Sequence, residues 1–274
     1  LESEAAAPSL ARNFELLDRA ASSAVITVRD DQYDFAWLLD AVHVCRRHGG
    51  EFRLVDSGKN EPVLLGWLAE GGARVYTSDE ARPDPREVIP VRLSARRSGA
   101  PTFYYIYDDL GPASRRPGAL PDILELGRSG VDLHLSNRRH AREAGLLVDL
   151  ALACAGGGAR LVYYHFGRFE AWLEGLVRSG GWVHWAAADF NPEEDMTPLL
   201  DAARSARRAG SGLILHLSAE RSVAQLGELF AAGVFLQFHG PRGVRSSDWG
   251  RLEGRTARRR PDERASYLRP DFLP

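Results

Sequence analysis

Residues 51–79 read EFRLVDSGKNEPVLLGWLAEGGARVYTSD. FRLVD is a short run of the kind that forms a strand buried on both faces of a sheet. EPVLLGWLAEGG then spaces its apolar residues for a helix, with Pro near its start and a Gly pair at its end. RVYTS closes the stretch as a second strand. Two strands joined by a helix of this length are parallel, because a parallel pair needs a long crossover.

The same rhythm extends in both directions. Further strand candidates are AVITV (24–28), TFYYIY (102–107), VDLHLS (131–136), RLVYYH (160–165), WVHWAA (182–187), GLILHL (212–217) and VFLQFH (234–239). Helical stretches such as YDFAWLLDAVHVCRRHGG and SVAQLGELFAAG lie between them. Sliding the chain by about 107–111 residues lays 51–79 over ARLVYYHFGRFEAWLEGLVRSGGWVHWAAAD (159–189), and SARRSG (94–99) over SARRAG (205–210). This match predicts an internal duplication. The first α/β repeat covers 1–110 and a Gly-, Pro- and Arg-rich joint covers 111–119. The second repeat with one extra αβ unit covers 120–240, and an arginine-rich arm covers 241–274. Two architectures fit: two tandem Rossmann-like domains, or a single (βα)8-type barrel from two half-barrels. The joint and the ninth strand favour the tandem pair.

The chain has 274 residues, 44% of them hydrophobic and 26% charged, enough to bury a sizeable core. A formal charge of -2 and a pI near 6.5 give no global reason to bind nucleic acid or an anionic membrane. The longest weakly polar run, 144–162, is broken by Asp149 and by Gly156, Gly157 and Gly158, so it does not read as a membrane span. Cys45 and Cys154 fall in helical stretches and make no CxxC motif or disulfide framework, which points to a reducing, cytoplasmic setting.

Parallel α/β architectures place ligands at the carboxyl ends of their strands. Those ends carry Arg29-Asp30-Asp31, Asp56-Ser57-Gly58-Lys59, Asp108-Asp109, Asn137-Arg138-Arg139-His140, His165-Phe166-Gly167-Arg168, Asp189 and His239. Lys59 is the sole lysine beside 34 arginines. In the repeat register Gly58-Lys59 falls on Gly167-Arg168, so each half sets a cation after a glycine at the same strand end. A glycine there lets backbone N–H groups approach an anion, and the following helix start adds a favourable dipole. Lys59, Asp56, His165, Asp108 and Asp189 are therefore the candidate catalytic residues. Gly58, Gly167, Arg168, Arg138 and His239 are the candidate ligand contacts. Asp30, Asp31 or Asp34 also reads as the cap of the helix that follows. No HxH or HExxH spacing marks a metal site, and no GxxxxGK[ST] loop or other fingerprint names a cofactor.

The run LLDAVHVCRRHGGEFRLVDSGKNEPVLLGWLAEGGARVY resembles the first part of a phospholipase-D-like half domain, a family with two similar α/β halves. That family works through H-x-K-x-x-x-x-D in each half. Here Ser57 stands two residues before Lys59, and Phe166-Gly167 follows His165, so the phosphodiesterase chemistry is not implied. The sequence thus predicts binding of a small anionic ligand bearing phosphate or carboxylate, with or without catalysis on it. The alternative is a non-catalytic regulatory or interaction module, a degenerate phospholipase-D-like fold being one version. Its protein partner would engage residues 241–274.

Overall fold

The structure, a computed structural model, describes residues 10–111, 114–116, 118–186, 196–217 and 223–238. The chain divides into two compact units, one of residues 1–105 and 119–132, the other of 106–118 and 133–274. The helix α5 (Leu120–Arg128) belongs to the first unit.

The first unit runs α1 (Leu10–Ser22), β1 (Val25–Arg29), α2 (Phe35–Arg47), β2 (Glu51–Val55), α3 (Pro62–Gly71), β3 (Arg74–Ser78), α4 (Val88–Ala95) and β4 (Thr102–Ile106). Its strands pair in parallel in the order β1-β2-β3-β4. The register sets Ile26 beside Phe52, and Val28 beside Leu54 beside Val75, so these five side chains share one face of the sheet. All five belong to a single buried cluster with Leu16 and Ala20 of α1, Leu38 and Val42 of α2, Leu65 and Leu68 of α3, and Val91 of α4. Each such aliphatic side chain contributes about 1.5–3 kcal/mol by leaving water. Helices α1 to α4 therefore pack on the same face.

α3 shows how locally the sequence sets its boundaries. Pro62 sits at the first turn, where its missing N–H costs nothing, and Gly72 ends the helix in the left-handed conformation at φ 116°. The N–H groups of Gly72 and Ala73 then donate to the carbonyls of Ala69 and Leu68, both at 3.0 Å.

The second unit contains β5 (Asp132–Ser136, of which Asp132 falls in the first unit), α6 (Ala144–Gly156), β6 (Leu161–Phe166), α7 (Trp172–Arg178), β7 (Trp182–Ala186), α8 (Thr197–Ala209), β8 (Leu213–Leu217), α9 (Val223–Ala232) and β9 (Phe235–Phe238). These strands also pair in parallel and in chain order. Leu133, Leu161, Val183 and Leu213 lie in buried rows facing the helices. Consecutive helices pack on one another, α6 on α7, α7 on α8 and α8 on α9.

All nine expected strands are present and parallel. The expectation of Rossmann-like domains is corrected. A doubly wound sheet reverses its strand order partway and covers both faces with helices. Here each strand adds beside its predecessor, and right-handed crossovers that always advance in one direction put their helices on one side. The units are singly wound, which is the strand order of the barrel alternative.

Candidate functional site

The loop after β2 is anchored from below by two buried carboxylates of the first unit. Asp30, fully buried after β1, accepts from the Ser57 N–H at 2.8 Å, from the Ser57 hydroxyl, and from the Asn60 side-chain amide at 3.1 Å. Asp56 accepts from the Gly58 N–H at 2.9 Å and from the Thr77 hydroxyl at 2.6 Å. Arg82, from the loop after β3, donates to both Asp56 oxygens at 2.9 and 3.1 Å and also to the Asn60 carbonyl. Tyr104 donates its hydroxyl proton to the Arg82 carbonyl at 2.8 Å. Burial alone would lower the Arg82 pKa; the hydrogen bonds and charges of Asp56 and Glu87 outweigh it and raise it.

This network revises the reading of VDSGKNEP. The Ser57 and Gly58 N–H groups, expected to face an anion, donate instead to Asp30 and Asp56. Asp56 is held in a buried ion pair and is not placed as a free acid or base. Gly58 is glycine for packing reasons: its φ is +87°, and a Cβ would stand 2.8 Å from the Ala81 carbonyl oxygen. Lys59 rides exposed on top of the fastened loop, with no ion pair among the described residues. Of the three cap candidates Asp34 holds the cap position at the start of α2, and Asp30 is a loop anchor.

The second unit builds a comparable loop from neutral side chains. The His165 Nε2 lies 2.6 Å from the Arg168 carbonyl, which can only accept, so the proton is assigned to Nε2. Its Nδ1 then accepts from the Asn137 amide at 3.4 Å. Asn137 also pairs with the Phe166 backbone in both directions, donating to its carbonyl at 2.9 Å and accepting from its N–H at 2.8 Å. Trp185 donates its indole N–H to the Gly167 carbonyl at 2.8 Å. Gly167, at φ +108°, has open space where a Cβ would project. Arg168 stands exposed at the tip, with no ion pair among the described residues. His165, like Asp56, is a fastener, with both ring nitrogens engaged.

Around this tip the loop after β5 adds positive charge. The Arg138 guanidinium lies 5.1 Å from the Phe166 ring centre, and that of Arg139 lies 4.9 Å from Tyr107. Arg142 donates to the Asp108 carbonyl at 2.6 Å and to the Ser136 carbonyl at 3.0 Å. The Asp108 carboxylate accepts from the N–H groups of Asp109 at 3.0 Å and Arg115 at 2.9 Å, and so closes its own loop. Asp108, Arg138, His165 and Arg168 belong to the second unit, and Asp56, Gly58 and Lys59 to the first. Asp189, His239 and residues 241–274 lie outside the described residues.

The sequence reading missed Asn137 and Trp185 as loop fasteners and Arg82 as the partner of Asp56. It also missed a buried polar row on the sheet face opposite the helices. There His134 Nδ1 lies 3.2 Å from the Tyr164 hydroxyl, and His184 Nδ1 lies 2.8 Å from His216 Nε2. Burial and the nearby His134 push the His184 pKa down to about 3, so it is neutral. Among the described residues no cluster of three or more His, Cys, Asp or Glu could hold a metal ion, and no helix is long and apolar enough to cross a membrane.

No protein-family model matches the chain. No curated protein matches its sequence. Among solved structures the chain is similar to a 3-hexulose-6-phosphate synthase, at 12% identity and a TM-score of 0.33 over 75% of this chain and 97% of that one. It is also similar to a mutant tryptophan synthase alpha-subunit from Pyrococcus furiosus, at 15% identity and a TM-score of 0.34 over 79% and 86%. A third is the deoxyribose phosphate aldolase from Aeropyrum pernix, at 14% identity and a TM-score of 0.33 over 85% and 94%.

Proposed function

We propose that the protein binds a small anionic ligand, bearing phosphate or carboxylate, at the C-terminal strand ends of its second unit, with Arg168 as the principal contact and Arg138 beside it. The observation that carries this reading is the tethering of the 165–168 loop by His165, Asn137 and Trp185 beneath an exposed arginine. A contact held in place before binding loses less conformational freedom when the ligand arrives. Arginine's planar fork suits either oxyanion. Lys59 follows a strand end of the first unit, where Asp30 and Asp56 already accept from the loop N–H groups, so no ligand contact is assigned to it.

Binding fits the site better than catalysis. Asp56, Asp108 and His165 all spend their polar atoms on holding loops. A second reading, an interaction module, draws on Phe14, Val63 and Trp67, which remain 57%, 52% and 50% exposed on the helices of the first unit.

A thermal-shift panel of phosphate, pyrophosphate, citrate and phosphorylated metabolites on wild type, Arg168→Ala and Lys59→Ala tests the proposal. A ligand at about a hundred times its Kd adds about 2.7 kcal/mol. The expected shift falls in Arg168→Ala and is unchanged in Lys59→Ala. A shift of equal size in all three proteins would sink it.

A further inference from the structure

A cavity of about 450 Å³ opens in the first unit at the opposite, N-terminal edge of β1–β4. That volume lies within the range of small-molecule clefts, about 300–1,000 Å³. Its charged lining is Arg46, Glu51 and Arg74. Both oxygens of Glu51 are already engaged: Oε1 accepts from the buried Arg53, and Oε2 stands 2.8 Å from Arg74 Nη1. The carboxylate is therefore not placed to take up a cation, and the three guanidinium groups leave a positive excess. Arg74 keeps 32% of its side chain exposed, and Arg46 uses one N–H on the Gly71 carbonyl at 3.3 Å, so N–H groups remain on both. Gly49 and Gly99 have open space where a side chain would stand, which keeps the cleft clear.

The helix ends at this edge offer a competing, negative influence of about half a charge each. Much of it is already answered. The Cys45 carbonyl accepts from the Gly50 N–H at 2.9 Å, and the Ala69 carbonyl from the Gly72 N–H at 3.0 Å. Full guanidinium charges outweigh capped partial ones.

We infer that this cleft is a second binding site, separate from the strand-end loops, and that it takes a small oxyanion held between Arg46 and Arg74. Carboxylate and phosphate share the chemistry that two guanidinium forks recognise. The inference does not depend on Arg168 or Lys59.

An NMR titration of the full chain, with inorganic phosphate in one arm and citrate in the other, reads the backbone amides of Gly49, Gly72 and Gly99. The arm that moves them identifies the oxyanion. Calorimetry of the same anion should show binding weakened at least about tenfold in Arg46→Gln, the scale of one charge-assisted hydrogen bond. Arg46 lies exposed in the last turn of α2, so this variant leaves the core intact. Arg74→Gln is the second variant and should weaken binding likewise, while Arg168→Ala should leave the Gly49, Gly72 and Gly99 amide shifts unchanged. Amides that stay still in both arms, or an Arg46→Gln protein that binds as wild type does, would overturn the inference. So would loss of the amide shifts in Arg168→Ala, which would assign them to the other site.

Discussion

Arg82 closes on both carboxylate oxygens of Asp56, with Nε and Nη2 at 2.9 and 3.1 Å, and so ties the loop after β3 to the end of β2. Both side chains are buried, at 7% and 0% exposed. Removing one partner leaves the other as an uncompensated buried charge, which costs about 3–5 kcal/mol. Arg82→Met is expected to lose stability on that scale in urea denaturation. A loss below about 1 kcal/mol, the worth of a surface pair, would mean that Asp56 is hydrated and the network is not structural.

Gly58, after β2, and Gly167, after β6, both follow a strand end yet carry different constraints. Both have positive φ, but only at Gly58 would a Cβ meet backbone, 2.8 Å from the Ala81 carbonyl oxygen. Gly167→Ala should cost about 1 kcal/mol from backbone strain alone. Gly58→Ala should cost clearly more, because the loop after β3 must also give way. Denaturant midpoints of the two variants settle the order, and equal losses would show that the 79–82 loop yields freely.

Acid should destabilise the second unit through its buried His184. The His184 pKa is held near 3 in the folded chain, against about 6.5 unfolded. Above pH 6.5 the imidazole is neutral in both states and adds no pH dependence. Below it, the unfolded chain takes up a proton that the folded chain refuses, so stability falls as pH drops towards 3. Linkage gives a loss of about 2 kcal/mol by pH 5. His184→Gln should flatten that part of the profile; an unchanged slope would place the titration elsewhere.

Cys45 and Cys154 are both buried thiols. Burial, with the nearby Glu51 charge, raises the Cys45 pKa and disfavours its thiolate. Neither thiol is expected to react with Ellman's reagent (DTNB) in the native protein, and both should react in denaturant. Rapid reaction of one thiol under native conditions would reveal an opening of its helix.

The strands were legible because each is a short β-branched or aromatic run flanked by turn residues, and periodicity reports such local order directly. Their lateral order was not. The same pattern of buried runs suits singly and doubly wound sheets, and nothing within FRLVD says whether its neighbour lies left or right. Asp56 and His165 were correctly placed at strand ends, but their partners were out of view. Arg82 lies 26 residues from Asp56, and Asn137 lies 28 residues from His165. His134 and His216 lie on the sheet face opposite the helices, 1% and 3% exposed, within a polar row.

The central claim is that Arg168, on its tethered loop, binds an oxyanion, and calorimetric titration of pyrophosphate into wild type and Arg168→Gln tests it most directly. The account predicts saturable binding to wild type and an affinity at least about tenfold weaker in the variant, with the melting temperature of the ligand-free protein unchanged. Equal affinities in the two proteins would contradict it.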